Sequence, residues 1–165
     1  MNSLQPLVAV VVLSFGPRPT LAAAVRSLID QDERAEIVVV HSGPGDAATV
    51  LTEAGLDVSV VVSPTPLLPG AARNIGVAST RAPIVAFLAD DCEARPGWVR
   101  TRREAHEAGH LAVASFVLSH RPGRPVALAA HLSLYVNRMP LAKPEHALKF
   151  GASYTRTLFD SHGPF

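Results

Sequence analysis

The run Pro83 to Cys92, PIVAFLADDC, narrows the possible folds of this chain more than any other stretch. Ile84, Val85, Ala86, Phe87 and Leu88 leave no polar face, which is the pattern of a strand covered on both sides. Asp90 and Asp91 follow at once, so the apolar run ends in two adjacent carboxylates. In open α/β sheets the carboxyl edge is where ligands bind, because loops rather than packed side chains occupy it. Adjacent acids repel unless a positive group sits beside them, and a divalent cation carrying a diphosphate is one solution. The other reading is a plain strand-to-helix connection. In it one Asp caps the helix that starts near Pro96, which accounts for one acid well and for two less well.

The rest of the chain repeats the same alternation. Leu7 to Ser14 is continuous and β-branched, hence a buried strand, and Phe15-Gly16-Pro17-Arg18-Pro19 breaks it. Pro19 or Thr20 opens a helix with Leu21, Ala24, Val25, Leu28 and Ile29 on one face. Glu36 to Val40 is a second strand, and Asp46 is placed to cap a short helix reaching about Ala54. Val58 to Val62 makes a third strand, Ser63 to Gly70 a loop, and Ala71 to Ser79 a helix leading into the Pro83 strand. Alternating strands and helices in close succession predict a mainly parallel sheet with helices on both faces, an α/β sandwich of the nucleotide-binding type. Past Asp91, Pro96 to Ala108 reads as a helix and Leu111 to Leu118 as a strand. Val126 to Val136 reads as a helix by its alanines, and Phe150 to Thr157 as a final strand.

Composition bounds the setting. At 165 residues, 48% hydrophobic and 18% charged, the chain is read as one globular domain over 1–165. A net charge of +1 gives no general attraction to nucleic acid or to an anionic membrane. Cys92 is the only cysteine, which excludes an intrachain disulfide and a cysteine-based zinc site and points to a reducing compartment. Without a signal-peptide pattern or an apolar run of spanning length, the expectation is a soluble, cytoplasmic chain with no membrane span. The seven histidines lack metal-ligand spacing and read as surface residues; His106 and His110 stand at i and i+4 without a third ligand nearby.

Four stretches carry a family resemblance: VAVVVLSFGPRPTLAAAVRSLIDQ, EIVVVHSGPGD, LPGAARNIGVASTRAPIVAFLADDCEARPGW and FGASYTRTLFDSHGPF. Together they resemble the family 2 glycosyltransferases, enzymes of the GT-A fold that move a sugar from a nucleotide diphosphate to an acceptor. The third is the most specific, joining a glycine loop, an Ala-Arg-Asn helix start, a buried strand and the acidic pair. Arg121 to Leu148 is the poorly matched part. The chain departs from the family where Gly16 stands for the Asn or Asp that usually ends the first turn. It departs again where His41 and Ser42 stand for two acids of the second turn, and where Ala89 stands for the first acid of an Asp-any-Asp motif.

The resemblance implies a Rossmann-type three-layer sandwich that binds a nucleotide-sugar donor with a divalent metal, Mn²⁺ or Mg²⁺. It places the nucleotide on Ser14, Phe15, Gly16, His41, Ser42, Arg73 and Asp90, and the metal on Asp91. Each residue also has a plainer reading. Phe15 competes with an ordinary core aromatic, His41 with a satisfied turn residue, Arg73 with a solvated helix group, and Trp98 is a packing residue or an acceptor-side wall. Charge that grows on a departing diphosphate needs stabilising, which suits a metal held by one or two carboxylates. The family's general base lies beyond the Gly-Pro-Phe turn, and Asp160 is the nearest acid. The chain is therefore expected to be a fragmentary member holding the donor-nucleotide half, with catalytic residues unknown. Apolar surface around Phe150, Tyr154 and Phe159 would then favour self-association. A noncatalytic α/β binding or interaction module is the alternative. A Rossmann dehydrogenase is a distant third, since no G-x-G-x-x-G follows the first strand. Neither the acceptor nor the sugar is readable from the residues.

Overall fold

The computed structural model describes residues 5–16, 18–136, 139 and 151–165. In chain order the elements are β1 (Val8–Phe15), α1 (Thr20–Ile29), β2 (Glu36–Ser42), α2 (Ala47–Glu53), β3 (Ser59–Val62) and α3 (Pro69–Ala78). They continue as β4 (Ile84–Ala89), α4 (Trp98–Glu107), β5 (Ala112–Val113), α5 (Pro125–Tyr135), β6 (Ser153–Thr155) and α6 (Arg156–His162). The strands form one six-stranded sheet in the order β3-β2-β1-β4-β6-β5. β1 runs parallel to β2 and β4, and β2 parallel to β3, whereas β6 is antiparallel to both β4 and β5.

The apolar runs are buried on both faces because each face has its own helices. Val8, Val10, Val12, Ile84, Ala86 and Leu88 pack against Leu21, Val25 and Leu28 of α1, Leu51 of α2 and Val99 of α4. The alternate residues Val11, Val38, Val40, Val85 and Phe87 pack against Ala72 and Ile75 of α3. This is the expected three-layer α/β sandwich with a mainly parallel sheet. Its strand order reverses between β1 and β4, which sets a crevice at their carboxyl ends.

Several boundaries differ from the sequence reading for local reasons. α3 starts at Pro69 rather than Ala71, with proline in its first turn, where a missing N–H costs nothing. The strand expected over Leu111–Leu118 is only Ala112–Val113, because its neighbour β6 is short and Gly151 turns away at φ +56°. The final strand, expected from Phe150 to Thr157, covers Ser153–Thr155; Phe150 lies outside the described residues. It stops because Arg156 starts α6, its guanidinium bonded to Ala82 O and Val77 O at 2.9 Å each. The antiparallel insertion of β6 between β4 and β5 has no counterpart in the sequence reading. Nor are all histidines superficial: His41, His106 and His131 are buried.

Candidate functional site

Register assembles the carboxyl edge. Ser14 lies opposite His41, Phe15 opposite Ser42, and Leu13 opposite Ala89, so Asp90 leaves β4 beside Ser14. The crevice is bridged by backbone: the Phe15 N–H donates to Asp90 Oδ2 at 3.3 Å, and the Asp90 N–H to Leu13 O at 3.1 Å. Gly16, at φ +74°, turns the chain away while its N–H donates to Ser42 O at 3.2 Å. α4 is capped by Gly97 with no side-chain bond, so neither acid serves as its cap. The plain strand-to-helix reading of the acidic pair therefore fails. Asp46, by contrast, caps α2 as expected, accepting from the N–H groups of Ala48 and Thr49.

The two acids differ sharply in setting. Asp90 is buried at 4% exposure while Asp91 is exposed. Burial raises the Asp90 pKa, and the neighbouring Asp91 adds to the rise. The Phe15 N–H and the Arg18 guanidinium pull it the other way without cancelling the effect. Arg18 is the residue sequence reasoning missed: its Nη1 lies 3.0 Å from Asp91 Oδ2 and 3.7 Å from Asp90 Oδ1. It supplies the positive partner that an acidic pair demands. The only signal for it was its place as the sole cation of the turn after β1.

His41 and Ser42 are fixed from within. His41 is 1% exposed, with Nε2 3.3 Å from Gly45 O and Nδ1 3.1 Å from Ser14 Oγ. A carbonyl can only accept, so Nε2 donates to Gly45 and Nδ1 accepts from the Ser14 hydroxyl. Ser42 Oγ accepts the Leu67 N–H at 3.3 Å. Phe15 is 52% exposed, its ring lying so close over Gly43 that a Cβ there would come within 2.9 Å of it. Seven of the eight expected site residues thus share one edge. Arg73 is set differently, its guanidinium 5.7 Å from the Phe87 ring centroid and 5.3 Å from that of Phe165. Phe165 is held there by Asn74, which accepts its N–H at 2.9 Å and donates to its carbonyl at 3.2 Å. The Phe165 ring also covers Tyr154 and Phe159, which were expected to lie open.

The glycosyl transferase family 2 model matches residues 9–158. The chain belongs to that family. No curated protein matches it. Among solved structures, a glucosyl-3-phosphoglycerate synthase from Mycobacterium tuberculosis in complex with Mn²⁺, UDP-glucose and phosphoglyceric acid is 21% identical. It superposes with a TM-score of 0.65 over 94% of this chain and 59% of its own. The same synthase in complex with Mg²⁺ and UDP gives 21% identity and a TM-score of 0.65 over 94% and 58%. A mannosyltransferase from Pyrobaculum calidifontis in complex with GDP-Man and Mn²⁺ is 19% identical, with a TM-score of 0.64 over 99% of this chain and 48% of its own. The family 2 chain described here therefore spans 59% or less of these neighbours, and the likeness shows a shared GT-A fold.

The donor chemistry of the family 2 site suits a hard divalent cation: oxygen ligands, one exposed carboxylate, and a buried one behind it. Among the described residues no group of three His, Cys, Asp or Glu side chains could enclose a metal, so phosphate or water oxygens would complete the sphere. Burial, and then the neighbouring Asp91, push the Cys92 thiol up to about 11.

Proposed function

We propose that this family 2 domain binds a nucleotide-diphosphate sugar at the carboxyl edge of its sheet, with Mn²⁺ or Mg²⁺ held by Asp91, for transfer to an acceptor. The observation that carries the reading is the acidic pair at the β1/β4 crevice, one carboxylate buried and one facing out, beside an exposed aromatic. Phe15 offers its open ring face to a base. Asp90, held by the Phe15 N–H, is placed for the ribose or for a water behind the metal. The ion pair of Arg18 with Asp91 is half-exposed, hence weak, so the guanidinium is free to turn from carboxylate to phosphate. A bound divalent ion would supply charge neutralisation for the departing diphosphate. His41 and Ser42 act through the backbone turn they fix, because the His41 ring nitrogens are both engaged.

Arg18 also favours a second reading, a noncatalytic module in which the guanidinium permanently neutralises both acids. Calorimetric titration with UDP-, GDP- and TDP-sugars, with and without Mn²⁺, separates the two. The donor reading expects metal-dependent heat and, for Asp91→Asn, a loss of affinity of about tenfold to a hundredfold, the scale of a charged contact. Absence of binding, or equal binding without metal, would leave the noncatalytic module. Transfer, measured alongside, rests on the same site, with Asp160 an exposed carboxylate available for substitution.

A further inference from the structure

α5 carries its apolar side chains outward. Of its 11 residues only His131 is buried, its Nε2 3.2 Å from Val117 O and its ring against Tyr135. Val126, Ala130 and Leu134 recur at helical spacing on the outer face, and Val126 and Leu134 are 84% and 71% exposed. The polar side chain among them, Ser133, turns its hydroxyl back onto Ala129 O at 2.9 Å. A surface helix in water shows the opposite pattern. Phe116 and Leu118, on either side of the residue that receives His131, are exposed as well.

The sequence leading into and through this helix carries charge of one sign. From Ala108 to Val136 the sequence has no Asp or Glu, while Arg121 and Arg124 lie exposed in the turn that opens α5. Neither arginine is ion-paired with a described residue. The near-zero charge of the whole chain conceals this segment, since the acids all lie elsewhere in the sequence.

We propose that this face seats on an anionic membrane surface, with α5 lying in the headgroup region and Arg121 and Arg124 on lipid phosphates. Apolar side chains beside exposed cations are what such a surface binds. The helix lies on the bilayer rather than crossing it: no helix is long and apolar enough to span. A second copy of the chain fits less well, because a two-fold contact would bring the exposed Arg121 and Arg124 of the two copies to the same interface. β5 runs parallel to β4, so the segment leaves the sheet at the edge that carries Asp90.

Co-sedimentation of the full chain with vesicles tests this without any nucleotide. Phosphatidylcholine vesicles containing phosphatidylglycerol should bring the protein down, whereas phosphatidylcholine alone should not, and added salt should release it. Arg121→Gln and Arg124→Gln should each lower partitioning about fivefold. Leu134→Ser should lower it about tenfold or more, with circular dichroism and monomer elution unchanged. Protein that stays in solution with the anionic vesicles, or that binds both lipid mixtures equally, overturns the proposal. So does a Leu134→Ser variant that alters only oligomeric state, which would assign the face to a second copy.

Discussion

Asp90 keeps a carboxylate where water hardly reaches, held by one backbone N–H and a distant guanidinium. Burial raises its pKa from the ordinary carboxylate value, so the folded chain takes up this proton more readily than the unfolded one. The sign follows: the contribution of this group is fully present below the unfolded carboxylate's pKa and is lost as pH rises through the raised folded value, where the buried group must ionise. Asp90→Asn keeps an acceptor for the Phe15 N–H and removes the charge. The variant should therefore melt higher than wild type near neutral pH and lose that pH slope, while its nucleotide binding falls. Thermal unfolding across pH beside the same titration checks both halves. A variant less stable than wild type at neutral pH would show that the charge, with Arg18, holds the crevice together. Groups kept ionised at a cost to the fold are common at functional sites.

At the scale of elements, Gly76 decides how closely α3 approaches the sheet. A Cβ there would run into both Cγ atoms of Val11, in the middle of the buried strand β1. Gly76→Ala should accordingly destabilise the chain by about 1–3 kcal/mol despite the better helix propensity of alanine, read as a lower urea midpoint at unchanged slope. Strands β1, β2 and β4 were legible in the sequence because burial on both faces writes an uninterrupted apolar run. The acidic pair was legible for a related reason, two charges ending such a run. The antiparallel edge was not. β5 and β6 are 2 and 3 residues long, too short for any periodicity, and their pairing depends on contacts far along the chain. Arg18 was missed because its meaning lies entirely in the two acids it meets, 73 positions away for Asp91. His41 read either as a nucleotide contact or as a satisfied turn residue, and nothing local announces the bond to Ser14 that fixes it.

For the molecule as a whole, the order of the sheet is also an order in time. β1 to β4 pair among themselves, so that half of the sheet can close once the chain has been made as far as Ala89. β5 has no strand partner until β6, some forty residues later, arrives to separate it from β4. α4 waits with it. Its buried Arg102 stacks on Trp98 and bonds Ser115 and Gly151 O, and its His106 bonds Ser153 Oγ at 2.9 Å. During synthesis an early unit should therefore stand complete on the ribosome while α4 still lacks its last polar partners. The same boundary should divide the finished protein: amides of Val10–Val12 and Val85–Leu88 should exchange with solvent only on global unfolding, and those of Ala112–Val113 and Ser153–Thr155 in an earlier, smaller opening. Uniform exchange across all six strands would show instead that the edge and the parallel core fold as one. A chain built this way has later residues closing the flank of earlier strands, so a pause in translation before Gly151 would leave α4 with a buried arginine still seeking carbonyls.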